Sequence, residues 1–302
     1  MAIYDGNPQD YQPLIQEGYD FNLGRYLRRG WDIFTSNSGG FIGYVFIFFL
    51  ILFAMNLLIA ELNFNSTVIA FVLGQIGSLI TASLAAGFII VAHKVSKEKE
   101  HDFGSFFEGF QDAIQLWLGN LVSSIIASIP ILLGVYLGAS EYAFEWFSML
   151  QDPASLAENM NTIMDQFMLA GSKIAMFGGL GFILYVILNA LFSFTQHNII
   201  FGRMKFWDAM ETSRKIISQK VLQMVLMWMV LFFSYVAALI LVGSIASATG
   251  SFGMGLISGL FIIIGSAIFF GYVYCVQYAA YEDIVFDNVM SIDDRIDDIG
   301  ME

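Results

Sequence analysis

The sequence predicts an all-α, polytopic membrane protein: six transmembrane helices forming three helical hairpins, each preceded by a cytoplasmic-side amphipathic helix. Three observations predict it. The first is composition. The chain is 57% hydrophobic, 16% aromatic and only 13% charged, whereas a soluble domain needs about 25% charged residues for its surface. The second is a series of six apolar runs. Each is long enough, at about 1.5 Å per residue, to cross the roughly 30 Å of bilayer hydrocarbon. The third is where the positive charge lies. Of 13 Lys and Arg, all but Lys173 fall on one side of those runs, which makes that side and both termini cytoplasmic.

Residues 1–21 are polar, hold Pro8 and Pro13 and show no period, so they read as a disordered or loosely docked arm. They contain no apolar core of signal-peptide length, and the first span is expected to serve as its own insertion signal. Asn22 caps a short helix with Leu23, Leu27, Trp31 and Phe34 on one stripe and Arg25, Arg28, Arg29 and Asp32 opposite. That pattern fits a helix lying among lipid headgroups, the alternative being a helix packed on the protein at its soluble side.

Span one is 41–60 and span two is 68–92, joined by a tight outer loop. The stretch 87–119 then holds the parts that recur along the chain: the end of an apolar span, a basic turn (His93–His101), an amphipathic helix and the start of the next span. In that helix Phe103, Phe106, Phe107, Phe110, Ile114 and Trp117 share a face behind a cap at Asp102. Span three, 116–137, contains Pro130 and is expected to kink there.

The segment 139–171 is the longest outer excursion, acidic, with an apolar stripe of Leu156, Met160, Ile163, Met164, Phe167 and Met168. It is expected to lie on the outer face as an amphipathic insertion. Span four is 174–196. A third amphipathic element follows, with Phe206, Met210, Ser213 and Ile217 against Lys205, Asp208, Glu211, Arg214 and Lys215. Spans five and six are 221–247 and 256–280. The transmembrane domain is therefore bounded at 22–282, and 283–302 is an acidic tail.

The three amphipathic elements align as an internal repeat, with Leu27, Phe106 and Phe206 in register and Gly30, Gly109 and Ala209 three residues on. The ends of the even spans align as well (87–93, 191–197 and 271–277), which puts His93, His197 and Gln277 at equivalent positions.

Chemistry is sparse. The six spans hold no Asp, Glu, Lys or Arg, whereas coupled transporters place such a group at membrane depth. There is no HExxH, no cysteine pair and no phosphate-binding loop. No cofactor, metal or nucleic acid is expected, and the chain reads as non-enzymatic. Gln75, Asn189, His93, His197 and Gln277 are the candidates for a polar path through the spans. Interhelical hydrogen bonding is the better explanation for most polar residues in the spans. Arg25, Arg28, Arg29, Lys94, Lys97, Lys99, Arg203, Lys205, Arg214 and Lys215 are the candidates for contact with anionic lipid headgroups, at about 1 kcal/mol each near the surface.

The runs AHKVSKEKEHDFGSFFEGFQDAIQLWLGNLV (92–122), FGRMKFWDAMETSRKIISQKVLQMVLMWMVL (201–231) and YCVQYAAYEDIV (274–285) carry a family likeness. Over about 85–285 the chain resembles a bacterial superfamily of six-span membrane proteins. That superfamily includes the membrane domain attached to some glycerophosphoryl diester phosphodiesterases. The resemblance implies a bacterial inner-membrane location and the six-span fold. It does not imply phosphodiesterase activity, because the acids and histidines of that chemistry are missing. The expected function is a membrane-organising or lipid-interacting protein, or an accessory subunit of a membrane partner or of its own oligomer. The alternative is a permease or channel for a lipid or small neutral solute.

Overall fold

A computed structural model describes residues 11–63, 67–142, 145, 159–249 and 252–286. All regular structure among them is helical. Six helical segments are long and apolar enough to cross a membrane: Ser38–Ala60, Phe71–Ser96, Phe103–Gly138, Met160–Ile200, Val221–Ser244 and Phe261–Phe286. The chain divides into two units, Met1–Asn120 with Ser193–Glu302, and Leu121–Phe192.

In the first unit, α1 (Gln12–Glu17) and α2 (Leu23–Ser36) precede α3 (Ser38–Asn63) and α4 (Thr67–Ser96). The core is the second half of α4, where every residue from Ala82 to His93 is buried. α3 offers it Phe41, Tyr44, Val45 and Phe48, one helical stripe at i, i+3, i+4 and i+7. The opposite stripe of α3, including Leu50, Phe53 and Leu57, is exposed. On its other side α4 meets the penultimate element, Phe88 stacking on Tyr274 with centroids 4.8 Å apart.

Asp102 caps the segment Phe103–Asp112 through a capping box with Ser105, so the predicted cap is correct. The segment is a 3₁₀ helix, however, not the α-helix that the spacing predicts. Its inner face is Ser105, Phe106 and Gly109, while Phe103, Phe107, Phe110 and Ile114 lie outside. The physical reason is close approach. A Cβ at Gly109 would strike the Ser83 carbonyl, and one at Gly87 the Phe106 carbonyl. Glycine at both positions lets two backbones meet where a phenylalanine stripe would hold them apart.

α5 (Ala113–Gly138) runs on through Pro130. Within the second unit it meets α6 (Met160–Leu191), where a Cβ at Gly134 would strike the backbone of Phe177 and one at Gly138 the backbone of Ile174. Of the predicted outer excursion, 143, 144 and 146–158, with Leu156 of the stripe, lie outside the described residues. Met160, Met164, Phe167 and Met168 belong to the continuous helix α6 and not to a separate surface element.

The chain returns to the first unit through α7 (Thr195–Ile200) and α8 (Phe206–Ser218). It continues as α9 (Val221–Thr249), α10 (Phe252–Tyr281) and a π-helical turn, Glu282–Phe286. α8 buries Met210, Ser213 and Ile217 as its spacing predicts, together with Ala209 and Ile216. Two boundaries change. Residues 11–21 are docked: Tyr11 and Leu14 are buried, and the Gln219 amide donates to the carbonyl of Ile15 at 2.5 Å. The predicted acidic tail loses its first residues to the fold, because Ile284, Val285 and Phe286 are buried. Three apolar side chains in a row repay burial.

The proposed register of the repeat brings Gly30, Gly109 and Ala209 to buried positions. It does not extend to conformation, since the middle element is 3₁₀ and the other two are α-helical.

Candidate functional site

The charged cluster of the first unit is built where α2 crosses the ends of α4 and α10. α2 starts at Asn22, whose side chain accepts from the Arg25 amide at 3.0 Å. It lies hard against α10 because Gly30 faces the backbone of Val276, where a Cβ would approach to 2.8 Å. The Tyr272 hydroxyl donates to the Leu27 carbonyl at 3.1 Å. This docking uses Tyr26, Gly30, Ile33 and Phe34, a face about one residue round from the predicted stripe. Trp31 of that stripe meets the Tyr272 ring edge-on at 5.7 Å and is 50% exposed.

The crossing sets Arg25 and Arg29 beside the exit of α10. Glu282 sits at the centre, 7% exposed. Its carboxylate is 2.9 Å from Lys97 Nζ and 3.6 Å from Arg29 Nε. The Ser96 hydroxyl lies 2.7 and 2.9 Å from its two oxygens and accepts from Arg29 Nη2 at 2.8 Å. Asp283 takes Arg25 Nη2 at 2.6 Å. Arg25, Tyr26, Arg29, Lys97, Ala279, Glu282 and Asp283 line a cavity of 280 Å³. Burial pushes the Tyr26 hydroxyl up to about 12, so at neutral pH it offers an O–H and not a phenolate.

A row of polar contacts leads inward from Glu282. The Tyr278 hydroxyl is 3.4 Å from it and 2.8 Å from His93 Nδ1, and Lys99 Nζ is 3.4 Å from His93 Nε2. An ammonium only donates. A neutral His93 therefore accepts at Nε2, carries its proton on Nδ1, and donates to Tyr278, which donates to Glu282. Below the row lies an aromatic floor. His93 is 4.8 Å from Phe201, and His197 stacks on Tyr281 at 4.8 Å. Phe201, Tyr281 and Phe286 join the two histidines through ring contacts. Tyr281 donates to Asn198 Oδ1 at 3.1 Å.

His93 and His197 thus share one buried aromatic cluster, and Gln277 is half-buried on α10. Gln75 is also half-buried, its carbonyl oxygen without a hydrogen-bond partner among the described residues. Asn189 belongs to the second unit, is exposed, and donates to the Tyr185 carbonyl of its own helix at 2.8 Å. Asn56, Thr81, Ser83 and Ser234 likewise bond the carbonyl four residues back.

The candidate lipid contacts divide into two groups. Arg25, Arg29, Lys94, Lys97, Arg203, Arg214 and Lys215 each lie within ion-pair distance of an acid. Lys94 is held between Glu108 at 2.6 Å and Ser105 at 3.0 Å, and Lys99 faces His93. Arg28 and Lys205 are exposed. The sequence reading missed Ser96, Tyr278, Glu282 and Asp283. One signal pointed to them: the acids are followed directly by Ile284, Val285 and Phe286, which a solvated tail would not contain.

No protein-family model, curated protein or solved structure matches the chain.

Proposed function

We propose that this is a non-enzymatic multi-pass protein of the bacterial cytoplasmic membrane that binds anionic lipid at its inner face and organises the surrounding bilayer or a partner within it. The six spans form three hairpins, each introduced by an amphipathic segment on the cytoplasmic side, with both termini cytoplasmic. The resemblance to the membrane domain of glycerophosphoryl diester phosphodiesterases supports the location and not an activity.

The observation that carries this reading is the double use of α2. One face packs on α10, and the next presents Leu27 and the half-exposed Trp31 beside Arg28. An indole at the headgroup level next to a cation suits an anionic interface. Exposed Phe103, Phe107, Phe110 and Trp207 repeat the pattern on the other two segments. The permease alternative has weaker support, because Asn56, Thr81 and Asn189 spend their donors on their own helices.

Native mass spectrometry of protein purified in a gentle detergent tests this. Retention of anionic phospholipid over phosphatidylcholine of equal chain length is expected. A bare protein, or equal retention of both, contradicts it.

A further inference from the structure

Resting on that reading, we propose that the cavity beneath α2 is a specific phosphate-ester site in which one of its own carboxylates, Asp283, competes with the ligand. Three cations line it, Arg25, Arg29 and Lys97, against two carboxylates, so it carries a net charge of +1. Its 280 Å³ accommodates a tetrahedral anion in addition to the residues already there.

The donors are suitably placed and only partly used. Each guanidinium has five N–H groups arranged to grip phosphate in pairs. Arg25 spends Nη2 on Asp283 and Arg29 spends Nη2 on Ser96. Both side chains are about half exposed, and Lys97 is 37% exposed, so an incoming anion reaches them without opening the core.

The carboxylates differ in what they hold. Glu282 is anchored by Ser96, Lys97 and Tyr278 and keeps the cations in place. Asp283 touches the rim cation Arg25 and is the group that a phosphate displaces. The site lies among the bases that the positive-inside pattern assigns to the cytoplasmic leaflet. Anionic headgroups concentrate there, and basic pockets between spans on that side take phosphorylated headgroups. The shared chemistry is a phosphate ester, borne by a lipid headgroup or by a free phosphate compound.

Titration of the detergent-purified full chain with dioctanoyl phosphatidic acid, dioctanoyl phosphatidylcholine and inorganic phosphate, followed by calorimetry, tests this. Phosphatidic acid is expected to bind and phosphatidylcholine not to. Displacement of the lipid by inorganic phosphate would identify the phosphate as sufficient; failure to displace it would assign the source to lipid. Arg29→Gln should weaken binding about tenfold, the loss of one charge-assisted hydrogen bond. Asp283→Asn should tighten it by about two- to fivefold, because a competing ion pair to the half-exposed Arg25 is removed. Arg25→Gln, at an exposed side chain where folding is not at stake, should weaken it in the same sense as Arg29→Gln.

Weakening by Asp283→Asn would overturn the competition, since Asp283 would then only position Arg25. Unchanged affinity in all three variants would overturn the site while leaving anionic-lipid retention, and the broader function, intact. No binding by the wild-type protein together with no retained lipid would remove both.

Discussion

Gly87→Ala is expected to destabilise the protein sharply, whereas Gly74→Ala and Gly77→Ala, on the same helix, are not. At Gly87 a new Cβ would overlap the Phe106 carbonyl and approach the Tyr44 hydroxyl to 2.8 Å. Neither group can yield cheaply. The carbonyl belongs to the backbone of the 3₁₀ segment. The Tyr44 ring is fully buried, its hydroxyl 2.9 Å from the Leu84 carbonyl and 3.0 Å from that of Phe106. At Gly74 nothing lies within 4 Å, and at Gly77 the nearest atom is the flexible end of Met55 at 3.4 Å. All three changes add the same methyl group and the same helix preference, so the differences among them report packing alone. Overpacking of this kind costs about 1–3 kcal/mol. At roughly 2–4 °C per kcal/mol for a chain of this size, Gly87→Ala should melt about 2–12 °C below the controls in detergent. The melt is followed by tryptophan fluorescence. Equal melting temperatures for Gly87→Ala and Gly74→Ala would refute the close contact between α4 and the 3₁₀ segment.

Other outcomes follow from the charge network and from the proposed topology. Glu282→Gln leaves Lys97 and Arg29 facing a neutral amide. Because both cations are partly hydrated, the loss should fall to about 1–2 kcal/mol, below the 3–5 of a fully buried pair, and is read as a lower melting temperature. Arg214 donates to Glu211 at 2.7 and 2.8 Å, and its hydrogen bond holds that carboxyl below its usual value of 4.5. A depressed folded value contributes stability above the unfolded value and loses it as pH falls through the folded one. The small melting difference between wild type and Arg214→Gln should therefore be present at pH 7 and close in acid below about pH 4.5. A difference that grows in acid would contradict the pairing. For sidedness, Cys275 is buried and is the only cysteine, so Cys275→Ser supplies a clean background. A membrane-impermeant thiol reagent should label Lys220→Cys only after the inner face is opened, and Lys173→Cys from outside.

The spans were legible because the bilayer imposes one requirement on all of them: about 20 apolar residues without charge. Periodicity also gave the buried face of α8, where Met210, Ser213 and Ile217 face inward. On α2 and on 103–112 it located an apolar stripe without saying which of its residues pack on protein. In water, apolar spacing marks the protein-facing side. Here large aromatics lie on both faces: Tyr26, Phe34 and Phe106 are buried, while Trp31, Phe107 and Phe110 are exposed. Small residues mark the inner face instead, Gly30 against Val276 and Gly109 against Ser83. Glu282 was illegible as a site residue because it lies at the head of an acidic run. Only the turn that carries it back beside Lys97 and Arg29 separates it from the acids that follow.

The outward face of α2 decides the account, and Trp31 reports on it directly. A variant with Trp117, Trp146, Trp207 and Trp228 changed to Phe keeps Trp31 as its single indole and can be reconstituted with lipids brominated at successive chain depths. An interfacial α2 gives strong quenching by bromines nearest the headgroups, declining toward the bilayer centre. Absence of quenching at every depth would mean that Trp31 faces protein or water, and would contradict an interfacial, lipid-binding α2.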